Sequence, residues 1–129
     1  DVCSSDLYPI TFSPVDTIAR GDLVGTYDFI RQGWDPDHLI AVSDEALTGG
    51  RTMLVSPLVW AVALHKRDIV GELLAFGAHV AQSGNRVAPC VADATGDTDL
   101  ADLLRRYPGA MPADACPAWT RETPLRLPD

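Results

Sequence analysis

One short script is written three times along the chain, and it leaves few folds open. The middle copy is the clearest. Ser56-Pro57 opens a helix, because the Ser56 hydroxyl can accept a free N–H of the first turn and proline fits the first helical position. Leu58, Ala61, Val62 and His65 then share one face, and the polar Lys66-Arg67-Asp68 ends this helix and begins another. Ile69, Leu73, Leu74 and Phe76 line the second apolar face, and Gly77 stops it. Later, Val87-Ala88-Pro89-Cys90-Val91-Ala92 opens a helix, Gly96-Asp97 breaks it, and Leu100, Leu103, Leu104 and Tyr107 run on to Pro108-Gly109. Earlier, Ser13-Pro14 leads into Val15 and Ile18, Gly21-Asp22 makes the break, and Leu23, Tyr27 and Ile30 continue to Gly33. The interval from Gly21 to Gly33 equals that from His65 to Gly77. A unit of this size cannot bury its apolar faces alone, so the units must stack.

Ser56-Pro57-Leu58-Val59-Trp60-Ala61 resembles the Thr-Pro-Leu-His-x-Ala opening of the ankyrin repeat. Ile69-Val70, Leu73-Leu74 and Gly77-Ala78 are similar to that family's second helix. Ala19-Arg20-Gly21-Asp22-Leu23 and Gly33-Trp34-Asp35-Pro36-Asp37 resemble its helix break and its exit turn. Three departures stand out: Val59 replaces the usual His, Pro89 stands where Leu is expected, and Asp93 replaces a small apolar residue. The resemblance covers roughly residues 12–110. It implies an all-α fold, an ankyrin-repeat solenoid of about three helix-turn-helix units at roughly 12–37, 53–80 and 84–110. The second and third units lie near the family period of about 33 residues. The first and second lie farther apart, which makes residues 38–52 a long finger insertion. In this family that connection borders the concave face, where insertions serve recognition; neutral loop growth is the alternative, since longer loops cost little.

The two ends are set apart from this domain of residues 8–110. Residues 1–7, Asp-Val-Cys-Ser-Ser-Asp-Leu, match the in-frame translation of a common sequencing-library adapter. They are read as non-native and kept out of fold reasoning, Cys3 included; a genuine N-terminal arm or the end left by signal cleavage is the alternative. Residues 111–129 are rich in proline and are expected to extend as a tail, with Trp119 free to fold back on the last helix pair.

Function is narrowed first by exclusion. The chain has 129 residues, one domain by size, and a net charge of −8. Nucleic acid and anionic membrane are therefore poor partners, and the apolar run from Met53 to Leu64 is too short to span a bilayer. Cys90, among apolar neighbours, reads as a buried packing residue with an inert thiol. A Cys90–Cys116 bridge is the alternative if the protein is exported. No nucleophile elbow, phosphate loop or His-Glu-x-x-His is present. His38 beside Asp35 and Asp37 invites a metal, but Asp35-Pro36-Asp37 also suits an ordinary exit turn. His65 and His79 read as exposed residues of the break and the second exit. No catalytic residue, cofactor or metal is expected, and the compartment leans to the cytoplasm, with no targeting signal readable.

What remains is recognition. A stack of helix pairs presents an extended groove, and the resemblance implies a protein–protein interaction module that is itself monomeric. Trp34, His38, Arg51, Trp60, His65, Lys66, Arg86 and Asp97 are the expected partner-binding residues. Packing within the inner helix layer is the alternative for Trp60. An inhibitor- or immunity-type protein that blocks one enzyme or toxin, and a terminal fragment of a longer ankyrin scaffold, are the other readings. The acidic charge favours a basic partner surface.

Overall fold

The computed structural model describes residues 14–82 and 84–116. In chain order the elements are α1 (Pro14–Ala19), α2 (Leu23–Arg31), β1 (Ile40–Ser43), α3 (Glu45–Thr48), β2 (Thr52–Val55), α4 (Pro57–Ala63), α5 (Arg67–Ala75), α6 (Ala88–Ala94) and α7 (Thr98–Arg105), followed by a single 3-10 turn at Ala113–Ala115.

The three expected helix pairs are present: α1 with α2, α4 with α5, α6 with α7. They stack through their first helices, α1 on α4 and α4 on α6, while α2 packs on α5 behind. Each break carries one residue in the left-handed region: Gly21 (φ 70°), His65 (φ 60°) and Gly96 (φ 88°). His65 is the exception among them, since a side chain there is strained. Each exit repeats the device at Gly33, Gly77 and Gly109. Local chemistry fixes the helix starts. Ser56 Oγ accepts from Val59 N at 3.1 Å with Pro57 in the first turn, and Asp22 Oδ1 accepts from Gly25 N at 2.9 Å. Ser13, the expected start of the first unit, lies outside the described residues.

α4 is the centre of the molecule. Every residue from Pro57 to Ala63 is buried, because α1 covers it on one side, α6 on the other and α5 behind. Leu58, Val62, Ile69, Leu73, Val91 and Leu104 complete a core in which the largest side chains are fully enclosed. The helices flanking it, such as α5, are buried on one side only, at Ile69, Val70 and Leu73.

The expected all-α solenoid is corrected here. Among the described residues the fold is mixed, about 51% helix and 8% strand. Residues 38–52 are not a bare finger: β1 pairs antiparallel with β2, with Ile40 opposite Val55, Ala41 opposite Leu54, Val42 opposite Met53 and Ser43 opposite Thr52. The physical reason is a two-residue alternation on both sides of Gly49-Gly50. Ile40, Val42 and Val55 face inward and join the core at 7%, 1% and 1% exposure, while Ala41, Ser43, Thr52 and Leu54 face outward. Between the strands α3 closes the tip, where Asp44 Oδ1 accepts from Leu47 N at 3.0 Å and the Thr48 hydroxyl lies within donating distance of two carbonyls, Asp44 O at 2.8 Å and Arg51 O at 2.7 Å. The insertion is thus a packed element, held on the core by α1 against β1.

Residues 110–116, at the start of the expected tail, also fold back. Cys116 is bonded to Cys90 of α6. Met111 N donates to Arg86 O at 3.1 Å, and Arg105 Nε donates to Met111 O at 3.2 Å. Cys90 is 1% exposed, so the bridge resolves the two readings of that residue: it is buried and it is oxidised. Residues 1–7 and Trp119 lie outside the described residues. Among the described residues no helix is long and apolar enough to cross a membrane.

Candidate functional site

The hairpin carries exposed apolar side chains on an element that is itself packed on the core. Its outward face carries Leu54, 58% exposed, opposite Ala41, and Leu39 stands just before β1 at 44%. Arg51, at the turn into β2, and His38, before β1, are both exposed. A half-buried sheet forces this result: inward positions are used by the core, so every second residue must face out.

The other expected contact residues are placed differently. Trp60 is only 4% exposed and its indole N–H donates to Val15 O at 3.1 Å, so it ties α4 to α1 and presents almost nothing outward. Trp34 is half-buried, packs on the core and sits 6.1 Å from the Phe29 ring. Asp97 is 8% exposed. It caps α7 by accepting from Leu100 N at 3.3 Å and receives two hydrogen bonds from Arg67, with Nε at 3.2 Å. The Arg67 hydrogen bonds hold its carboxyl below the usual aspartate value, against the upward push of burial. His65 lies 3.7 Å from the same carboxylate, its ring half-exposed. Lys66 stands at the N-cap just before α5 without capping it through its side chain, and its stem lies over Gly21. Arg86 is exposed and donates through Nε to Gly109 O at 3.0 Å. Of the eight, His38 and Arg51 share the hairpin, while His65, Lys66 and Asp97 gather at the breaks.

A second cluster joins the exit turns. Asp37, from the first exit, accepts from His79 N at 3.1 Å and from Asn85 Nδ2 at 2.8 Å, and its other oxygen lies 2.8 Å from His79 Nδ1. Asn85 is fully buried and also donates to His79 O at 2.7 Å. Asp37 therefore acts as a staple between successive units. Sequence reasoning missed Arg67 and Asn85. His79 stands two residues after its exit glycine, as Asp35 does in the first exit, and a polar residue at that recurring position was the available signal. Asp35, Asp37 and His38 do not converge on a metal; among the described residues no three His, Cys, Asp or Glu side chains are grouped to hold one. The disulfide removes Cys90 as a nucleophile.

A shallow cleft of about 490 Å³ lies along α1 and α2, lined by Thr17, Arg20, Asp22, Asp28 and Phe29 among others. Its charges are matched locally: Arg20 sits 3.7 Å from Asp22, and Asp28 sits 3.5 Å from Arg31. It offers no set of converging free polar groups of the kind that fixes a small ligand.

A scan against family models matches none, and searches of curated proteins and of solved structures return no match either.

Proposed function

We propose that this chain is a protein-binding module that seats its partner on the outward face of the hairpin. One observation carries the reading: the hairpin is anchored by Ile40, Val42 and Val55 on its inner side, displays Leu54 on its outer side, and has the exposed Leu39 and Arg51 next to its strands. A rigid support under an exposed apolar and arginine patch is what a binding hot spot needs, because little ordering entropy remains to be lost on association. The helix-pair stack, with its repeated left-handed breaks, supports the resemblance to the ankyrin repeat. In that reading the insertion is the enlarged finger of a recognition surface. The net charge of −8 favours a basic partner. The work assigned to this surface is binding rather than catalysis.

Affinity capture tests the reading with two baits, the unaltered chain and the Arg51→Ala/Leu54→Ala double variant. Both side chains are exposed, so the fold should persist. A partner held by the first bait and lost from the second supports the hairpin face. A partner held equally by both overturns it.

A further inference from the structure

We propose that the partner binds by adding an extended strand to the free edge of β2. This inference rests on the hairpin reading above and specifies how that face is used.

The sheet has two strands only among the described residues, and β1 occupies one edge of β2. No backbone hydrogen bond ties residues 52–55 to any described segment other than β1. In an antiparallel pair, alternate residues turn N–H and C=O away from the partner strand, so among the described residues the outer edge of β2 presents donors and acceptors with no backbone partner. Native proteins blunt such edges with charges, prolines or bulges. Neither Ile40-Ala41-Val42-Ser43 nor Thr52-Met53-Leu54-Val55 contains a charge or a proline, and their register is unbroken. An unguarded edge beside an exposed Leu54 is a template for another strand.

The occupant follows from size and charge. A stable dimer buries about 800 Å² on each partner, far more than the edge of a four-residue strand supplies, and two copies at −8 repel one another. An extended segment of a different protein fits better. It alternates apolar and polar residues, so that one face lies over Leu54 and Ala41; it carries a carboxylate at the flank that meets Arg51 and is otherwise basic, to suit the acidic chain.

The probe is a random dodecapeptide library displayed on phage and selected against the immobilised full chain. Selected peptides are then synthesised plain and with alternate backbone amides N-methylated, in both registers. Strand addition predicts that plain peptides slow amide exchange at Thr52 to Val55. It also predicts that methylation in one register weakens them by at least about tenfold while the other register is tolerated. Leu54→Lys, which places a guarding charge on an exposed position, should weaken them by a similar factor with unchanged circular dichroism. Protection at Thr52 to Val55 that survives methylation in both registers overturns strand addition and leaves the hairpin face standing. Protection elsewhere, or an empty selection, overturns both. Dimerisation of the chain with protection at Thr52 to Val55 makes the occupant a second copy and overturns the assignment to a foreign segment.

Discussion

Arg67, at the first turn of α5, grips Asp97, the residue that caps α7, and so fastens the second helix pair to the third. The capping bond to Leu100 N and the ion pair meet on one nearly buried carboxylate. Asp97→Ala should therefore cost about 1–3 kcal/mol, the sum of a lost cap and a lost charged hydrogen bond. Arg67→Ala should cost less than Asp97→Ala, because more than half of the Arg67 side chain is in solvent. The pH dependence has a definite sign. The carboxyl is held below its ordinary value of 3.8, so its stabilising contribution is complete above that pH and is lost as pH falls through the lowered folded value. Urea titrations of wild type and Asp97→Asn below pH 4 should converge as acid removes the difference.

Glu72 should act in the opposite sense. Its Oε1 is buried and has no hydrogen-bond partner among the described residues, and burial, with the nearby Asp22 charge, raises its carboxyl above the ordinary 4.5. Such a group favours the fold while protonated, and that contribution is lost as pH rises through the raised folded value. Glu72→Gln should therefore be more stable than wild type at pH 7 and lose that advantage below pH 4.5. Chemical denaturation at the two pH values measures it.

Reduction of the Cys90–Cys116 bridge should cost about 3–4 kcal/mol on the loop-entropy account, for a separation of 26 residues. Calorimetry with and without a dithiol reductant checks this, with Cys116→Ala as the non-reducible control. Amide exchange should rise first at Met111, whose N–H bonds Arg86 O.

The hairpin offers a contrast between its two faces. Val42→Ala removes a side chain that is 1% exposed and should cost about 1–3 kcal/mol. Leu54→Ala, at 58% exposure, should stay within about 0.5 kcal/mol of wild type. Equal small losses in thermal melts of both variants would mean that the strands contribute nothing to the core.

The helix pairs were legible because their signals are local: Ser56-Pro57 at a start, Gly21 and Gly96 at breaks, Gly77 at an exit. A hairpin finger was expected from the repeat, but its strands were not placed, and β2 runs on to Val55, because a four-residue alternation is too short a signal to set strand bounds or to show that the strands join the core. The burial of Trp60 depends on α1 and α6 closing around α4, which no window of sequence displays. The Cys90–Cys116 bridge was one of two open readings, since pairing needs the fold-back of residues 110–116. Asp37, His79 and Asn85 come from the first, second and third units and meet only after the units have stacked.

The most direct test of the account is the dissociation rate of a captured partner from the unaltered chain and from Arg51→Ala/Leu54→Ala. If the hairpin face is the anchor, the double variant should release the partner at least about thirtyfold faster, the equivalent of about 2 kcal/mol, with association little changed. An unchanged dissociation rate, with the variant folded as wild type, would contradict the account.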